Sequence, residues 1–328
     1  MISYDERAGA FPDTTTVRAA LELAGRAPSV HNSQPWRWRL GESTVHLYAD
    51  RSRHLPATDP DGRDLLISCG AALHHLRVAF AAFGWRTTVH RLPNPAEPDH
   101  LAAVELAPAQ PTRADVAAAA SILRRRSDRR PYAGTPIPLD RIAALTKAAG
   151  QCGVVLTRPT PAAREALVAA ISLADAEQER DPRYGTELAL WSGRDQVAKD
   201  GVPRRNAVAA RRYFDVGLRR YSAAGIEIAD QEAGAGLLVV LGTASDDALS
   251  QLRAGEATSA VLLAATGVRM ACCPLTQPLE VSAARELVHE SVLDGAMVPQ
   301  MVVRVGWPRP SSAALPSTPR RPVDEMID

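Results

Sequence analysis

A polar loop bounded by two prolines constrains this chain more than any other stretch. Residues 26–40 read RAPSVHNSQPWRWRL, directly after an apolar helical pattern and directly before an alternating, strand-like one. Five side chains between the prolines can form hydrogen bonds: Ser29, His31, Asn32, Ser33 and Gln34. A plain connector needs only one or two turn residues, and proline stiffens both itself and the residue before it. We therefore predict a rigid loop that holds something polar and flat.

Helical and strand-like patterns alternate along the chain, which predicts an α+β fold. The helices are predicted at 13–24, 63–84, 114–126, 139–150, 161–179 and from about 245 or 252 to 267. The strands are predicted at 36–40, 44–50, 85–92, 100–107, 154–158, 236–243 and 299–307. Residues 181–235 are predicted to be irregular, with many arginines.

The two halves of the chain resemble each other weakly. LELAGRAP (21–28) parallels LTKAAGQC (145–152), and AFAAFGWR (79–86) parallels LLAATGVR (262–269). The order of predicted elements repeats as well, so we predict a duplicated unit whose second copy is larger. The alternative, that alanine-rich helices resemble each other by chance, stays open at this point.

Length and charge limit the classes of function. A chain of 328 residues suggests about two structural units. A formal net charge of +1 argues against broad binding to nucleic acid or to a membrane surface. No signal-peptide pattern and no apolar run of about 18 residues is visible, so we expect a cytoplasmic protein without a membrane partner. The cysteines show no metal-ligand spacing, and no metal is predicted: Cys69, Cys152, Cys272 and Cys273.

A dense basic stretch, RRRSDRR at 124–130, follows the third predicted helix. Clustered guanidinium groups beside a hydroxyl suit a phosphate dianion. The alternative is a solvated charged face at a helix end, where cations also favour the helix dipole. A nucleic-acid patch is the weakest alternative, because no aromatic residues are interleaved. The pair Arg320-Arg321 in the tail offers further guanidinium groups or an ordinary solvated terminus.

Several common catalytic signatures are absent from the sequence. There is no Walker loop, no GxSxG and no HExxH. The glycine–alanine run near 232–236 precedes its strand, whereas a dinucleotide-binding fingerprint follows one. The sequence therefore gives poor support for a hydrolase or a metalloenzyme.

The loop APSVHNSQPW, the stretch RRRSDRR and the tail motif PRRP together resemble the nitroreductase superfamily of FMN-binding oxidoreductases. Their order resembles the Acg-type branch known from mycobacteria, in which two nitroreductase-like halves form an intrachain pseudo-dimer. Further matching stretches include SCGAALHHL, GEATSAVLLAATG and ACCPLTQPLE. The resemblance implies two fused copies with mixed or antiparallel sheets flanked by helices. It places the N-terminal half at 1–122 and the C-terminal half at 123–328.

The resemblance also implies a set of FMN-binding residues. In the loop, Ser29 and Asn32 would form hydrogen bonds with the flavin ring, Pro28 would fix the loop against it, and Gln34, also in the cofactor-binding set, would lock the turn into the strand. The segment near N5, the hydride-accepting atom, would be Pro274, Leu275 and Thr276. The phosphate would be bound by the basic stretch and the tail: Arg125, Arg126, Ser127, Arg320 and Arg321. Arg129 would lie near N1 and O2 of the flavin, where a cation stabilises the reduced anion. A second set of motifs is missing, so one FMN per chain is expected.

Two functions follow from the resemblance. The first is NAD(P)H-dependent reduction of nitroaromatics or quinones by ping-pong hydride transfer through FMN, without a dedicated catalytic side chain. The second is FMN sequestration without turnover, with residues 183–215, including Trp191 and Arg194, folded over the ring as a lid. The lid segment is equally compatible with a surface insertion that has no role at the site. A dehalogenase- or BluB-like activity is a remoter alternative. A pseudo-dimer within one chain favours a monomer.

Overall fold

The computed structural model describes residues 11–194, 197–209, 219–221, 224–226, 236–310 and 312–328 of the chain. The predicted α+β class is confirmed: antiparallel sheets are packed against helices. The first sheet has the order β1-β2-β4-β3. The first-half elements are α1 (Thr14–Ala24), β1 (Trp36–Leu40), β2 (Thr44–Ala49), α2 (Arg63–Ala82), β3 (Trp85–Arg91), β4 (His100–Pro108) and α3 (Arg113–Arg124).

The second sheet has the order β6-β9-β11-β10, with β5 paired to β11 beside it. Its strands are β5 (Tyr132–Ala133), β6 (Val155–Thr157), β9 (Leu237–Thr243), β10 (Ala271–Leu275) and β11 (Val298–Pro308). The helices are α4 (Leu139–Gly150), α5 (Pro161–Glu179), α6 (Pro182–Trp191), α7 (Ala248–Gly267), α8 (Gln277–Glu280) and α9 (Ser282–Val292). β7 (Ser192–Arg194) and β8 (Val202–Pro203) form a separate parallel pair.

The two sheets share one connectivity. In each sheet the first two strands along the chain are neighbours, β1 and β2 or β6 and β9. A long helix, α2 or α7, then leads to the other two strands. The last of these along the chain, β4 or β11, lies beside the second strand, β2 or β9. The equivalent long helices, α2 and α7, are both 20 residues long. This correspondence supports a duplicated unit, while the boundary between residues 122 and 123 stays a prediction.

Helices α2 and α7 pack against each other at the centre of the molecule, and glycine is required where they cross. A Cβ on Gly70 would lie 2.0 Å from the carbonyl oxygen of Leu252, and a Cβ on Gly255 would lie 2.0 Å from that of Ile67. The two approaches are reciprocal, so each helix presents a glycine to the backbone of the other. The close crossing brings the two halves into direct backbone contact.

A buried ion-pair cluster adds charge to this junction. Glu256 on α7 is fully buried and binds Arg91 of β3 through both carboxylate oxygens, at 2.9 and 3.0 Å from Nε and Nη2. Arg77 of α2 donates to the same carboxylate at 3.2 Å. A buried carboxylate left without these partners would be strongly destabilising, so the cluster favours this one arrangement of the halves.

The C-terminal tail returns from the second sheet to the first. Trp38 of β1 donates its backbone N–H to the carbonyl oxygen of Met326 at 2.6 Å, and Asp328 donates to the carbonyl oxygen of Trp38 at 2.9 Å. Trp36 donates its indole N–H to the sulfur of Met326 at 3.3 Å. Both tryptophans are fully buried, so the tail covers the outer edge of the first core.

Helix α2 is long and apolar enough to cross a membrane by length and composition, but 72% of its apolar window is buried inside the protein. Such burial is typical of a core helix. Its partners are α1, α3 and α7.

The prediction that residues 181–235 are irregular is wrong at its beginning. Helix α6 occupies Pro182–Trp191, and Asp181 caps it by accepting a hydrogen bond from the N–H of Arg183 at 2.8 Å. Proline at the first helical position is pre-organised for a helix start. Much of the rest of this stretch lies outside the described residues.

Candidate functional site

A cavity of about 1120 Å³, including the solvent at its mouth, lies between the two halves. The first half contributes the loop at 28–32 and the beginning of α2. The second half contributes residues 125–129, the end of β10, part of the stretch 202–221 and the C-terminal tail. The main motifs singled out in the sequence therefore meet in one place, although nearly 300 residues separate the first from the last.

The loop between the two prolines is rigid, and Gln34 explains why. His31, Asn32 and Gln34 adopt left-handed backbone conformations, with φ of +47°, +57° and +53°, which cost energy for residues other than glycine. The fully buried Gln34 amide offsets this cost by donating to the carbonyl oxygens of Asn32 (3.2 Å) and Lys199 (3.0 Å). The backbone N–H of Gln34 donates to Ser29 Oγ at 3.0 Å.

Gln34 and Arg321 do not line the cavity; they lie behind the loop, on the side away from it. Gln34 Oε1 accepts a hydrogen bond from the backbone N–H of Arg321 at 2.9 Å. The Arg321 guanidinium donates to the carbonyl oxygen of Gln34 at 3.3 Å and lies 3.8 Å from Asp50. Both residues connect the loop to the C-terminal tail.

Pro28, Ser29 and Asn32 are on the cavity wall. Asn32 donates its amide N–H groups to the carbonyl oxygens of Gly201 (3.0 Å) and Pro319 (3.1 Å). Its Oδ1 is buried and has no partner among the described residues. A buried acceptor without a partner costs free energy, so this oxygen is suited to accept an N–H group from a ligand.

Guanidinium groups that have no carboxylate partner among the described residues mark the other end of the cavity. Arg125 and Arg320 line it together with Ser127. Nε and Nη1 of Arg125 and Nε of Arg320 are buried without a hydrogen-bond partner in the described chain. Burial, reinforced by neighbouring arginines, lowers the pKa of Arg125 to about 10 and that of Arg320 to about 9. Such a group of cations is suited to bind an anion of high charge density.

Arg129 lies between these two ends. Its guanidinium donates to Asn206 O (3.3 Å) and to the Tyr221 hydroxyl (3.1 Å), and it stacks over the Tyr221 ring at 4.8 Å. Burial opposes its charge, but Tyr221 and Cys273 outweigh burial, and the net pKa of Arg129 is raised. Arg129 is therefore a permanent buried cation beside the cavity.

The end of β10 forms a further wall through Pro274, Leu275 and Thr276. The Thr276 hydroxyl is already engaged, because it donates to Glu280 Oε1 at 2.5 Å and accepts from Arg219 Nη2 at 3.2 Å. Arg219 also forms an ion pair with Glu280. A ligand at this wall would therefore meet the backbone of Thr276 rather than a free hydroxyl.

Several residues at the cavity were not singled out from the sequence, among them Asp64, Arg219 and Tyr221. His31, one of the five polar side chains of the loop, also lines the cavity, but no specific role was predicted for it. Burial, followed by Arg219 and Arg129, holds the pKa of His31 well below its usual value, so the imidazole is neutral. The position of His31 inside the PSVHN loop pointed to a role at the site, but the orientation of its side chain depends on the positive φ of its backbone. Arg219 and Tyr221 lie in a segment without any periodic pattern, so no signal pointed to them.

Asp64 is fully buried on the cavity wall, 2.5 Å from Arg63. Burial raises its pKa to about 8, with Asp59 and Glu280 adding to the shift and Arg63 and Arg219 opposing it. Between pH 4 and 8 the folded protein therefore keeps a proton that the unfolded chain releases, so stability falls as pH rises through this window.

We expect Asp64→Asn to flatten the loss of stability between pH 5 and pH 8. One proton accounts for up to about 1.4 kcal/mol per pH unit, so the change in slope is measurable by urea unfolding at several pH values. Asp61→Asn, at an exposed position just before helix α2, is the matched control and should keep the wild-type slope. An unchanged slope in Asp64→Asn would show that Asp64 is ionised throughout this range.

Trp191 and Arg194, predicted in the lid, lie outside the cavity wall. The Arg53 guanidinium lies 5.5 Å from the Trp191 ring centre and that of Arg194 lies 5.8 Å from it. The predicted lid at 183–215 reaches the cavity through Val202, Pro203 and Asn206. Its residues 195–196 and 210–215 lie outside the described residues.

Comparison with known proteins gives close relatives. A provisionally named NAD(P)H nitroreductase of Mycobacterium tuberculosis is 43% identical over 323 residues, which cover 97% of this chain and 92% of the relative. The provisionally named NAD(P)H nitroreductase acg of the same organism is 38% identical, with 96% of each chain covered. No protein-family model matches the chain.

Solved structures show a more distant likeness. A structure from Anabaena variabilis, provisionally described as a nitroreductase, is 10% identical with a TM-score of 0.48, covering 94% of this chain and 92% of that one. A nitroreductase with bound FMN from Bacteroides fragilis is 14% identical with a TM-score of 0.39, covering 61% of this chain and 93% of that one.

Proposed function

The chain belongs to the Acg-like nitroreductase family, and from this premise we propose that it is an FMN-dependent flavoprotein that reduces nitroaromatic or quinone acceptors with NAD(P)H. The observation that carries the proposal is a pair of guanidinium groups, those of buried Arg125 and half-buried Arg320, which line one end of the cavity without a carboxylate partner among the described residues.

The described residues fit FMN at both ends of the cavity. Arg125, Ser127 and Arg320 would bind the phosphate dianion, because buried guanidinium groups form strong charge-assisted bonds with phosphate. The rigid loop would support the flavin ring, and the unpartnered Oδ1 of Asn32 would accept a ring N–H. The backbone of Pro274–Thr276 would face the ring from the second half.

When bound, FMN would supply the hydride chemistry between the nicotinamide and the acceptor. The chain itself contributes binding and charge. Arg129 is protonated at neutral pH, because the pKa of an arginine is far above 7 and that of Arg129 is raised further, so it would stabilise negative charge on a reduced ring. No side-chain nucleophile is needed.

The two ends of the proposed site come from different halves of one chain. We therefore propose an intrachain pseudo-dimer that is active as a monomer with one FMN. The equivalent loop of the second half, at 152–160, lacks the SxxNxQP pattern. The proposed boundaries are residues 1–122 and 123–328.

The test is an anaerobic spectrum of the purified protein, reconstituted with FMN, before and after NADPH and then dithionite. We expect flavin absorbance equivalent to one FMN per chain and rapid bleaching by NADPH. Bleaching by dithionite alone would contradict the reductase. A failure to take up FMN at all would contradict the flavin site.

A second candidate, FMN sequestration without turnover, is favoured by one observation. Arg219 lines the cavity and is held there by Glu280 and by the Tyr184 hydroxyl, to which it donates at 2.6 Å. Its buried ion pair would keep this part of the stretch 202–221 closed over the ring. Sequestration predicts the dithionite-only outcome of the same experiment.

A further inference from the structure

A second, smaller cavity adjoins the guanidinium end of the main cavity. Its volume is about 260 Å³, including open solvent, and its polar lining comes from Arg26, Arg125, Arg126, Ser317, Thr318 and Arg320. Arg125, Thr318 and Arg320 line both cavities. We call this smaller cavity the outer cavity. An anion bound in it would be next to an anion bound at the guanidinium end of the main cavity.

The charges at this junction exceed what one phosphate can balance. Arg125, Arg126 and Arg320 carry three positive charges, the exposed Arg26 adds a fourth, and none of them forms an ion pair with a carboxylate of the described residues. A phosphate monoester carries a charge of about −1.5 to −2 at neutral pH. Because solvent and salt screen the exposed Arg26, roughly one positive charge remains unbalanced beside a bound phosphate monoester.

The position of these arginines at the end of helix α3 does not remove the surplus, because a helix C-terminus is equivalent to only about half a negative charge. Arg126 uses its Nη1 to donate to the carbonyl oxygens of Leu123 (2.9 Å) and Arg125 (2.8 Å). Its Nε is buried without a partner in the described chain, as are Nε and Nη1 of Arg125. The Arg125 donors would serve the first phosphate, so Arg126 Nε is the buried donor that needs an acceptor in the outer cavity.

We propose that the outer cavity is a second phosphoryl subsite, contiguous with the phosphate end of the flavin site and resting on the proposed function of that site. Its ligand is a phosphoryl group with free oxygens beside the first phosphate. The phosphoryl group is either the second phosphate of a flavin dinucleotide or a separate phosphate bound next to FMN. In both cases the arginines of the outer cavity would bind phosphoryl oxygens.

The experiment uses the double variant Arg26→Ala/Arg126→Ala. Arg124→Ala is the matched control, because Arg124 is an exposed neighbour that lines neither cavity and donates to Ser121 Oγ. Flavin-free protein is titrated with FMN and with FAD by flavin fluorescence. Separately, FMN-loaded protein is melted in inorganic phosphate and in chloride of equal ionic strength. Circular dichroism checks folding, and the single variants replace the double variant if it fails to fold.

A dinucleotide source predicts that FAD binds the wild type at least as tightly as FMN, and that the double variant weakens FAD about tenfold more than FMN. A separate phosphate predicts no FAD binding, but a higher melting temperature in phosphate that the double variant loses and Arg124→Ala keeps. If FMN binds and neither effect is seen, the subsite is overturned while the flavin site stands. If FMN itself does not bind, the proposed function fails as well.

Discussion

Replacing Gly70 with alanine should destabilise the protein by about 4 kcal/mol or more, or prevent it from folding. The added Cβ would lie 2.0 Å from the carbonyl oxygen of Leu252, and no rotamer change can move a backbone atom away. Relief requires α2 and α7 to separate, which opens the junction between the halves and exposes apolar surface on both. Gly255→Ala should act in the same way, because its Cβ would meet the carbonyl oxygen of Ile67 at the same distance.

Urea unfolding followed by circular dichroism measures this effect. Gly185→Ala is the control, because Gly185 lies inside helix α6 and a Cβ there meets nothing within 4 Å. Alanine in an open helix interior should stabilise by about 0.5–1 kcal/mol. Equal stability of Gly70→Ala and wild type would mean that the helices do not cross as closely as described.

Replacing Arg125 with methionine should weaken FMN binding without lowering the stability of the flavin-free protein. Loss of a charge-assisted bond to phosphate should weaken FMN binding by about 10- to 100-fold. The flavin-free protein, however, should be at least as stable as wild type. Arg125 is a buried cation with two unpartnered nitrogens, beside Arg126 and Arg320, and methionine fills a similar volume without a charge.

Calorimetric titration with FMN and thermal melting of the flavin-free protein give the two readouts. Arg124→Met, at the exposed neighbouring position, should leave both unchanged. A merely structural Arg125 would behave differently: its loss would lower the melting temperature of the flavin-free protein. That result, or unchanged FMN affinity, would contradict a phosphate-binding role.

The sequence indicated much of the fold because its signals were local. The polar loop between Pro28 and Pro35, the alternating strands beside it and the two long alanine-rich helices all appear where their patterns predict. Helix α6 was missed although Asp181 and Pro182 form a recognisable start, since ten residues with an internal glycine carry little periodicity.

The site was less predictable from sequence because it depends on long-range packing. Pro28, Ser29, Asn32 and Arg125 match the motifs and line the cavity, but the motifs could not separate Arg320, which lines it, from Arg321, which supports the loop from behind. Asp64 looks like an ordinary acidic residue in the first turn of a helix. Its burial arises only when the two halves meet.

The tail that carries Arg320 has a consequence for how the protein is made. The first wall of the cavity is near residue 28, and a later part comes from Arg320, nearly 300 residues further along the chain. When the first sheet has emerged from a ribosome, the residues near 320 have not yet been made. The wall of the cavity therefore stays incomplete until the tail has been synthesised and has packed against the first sheet.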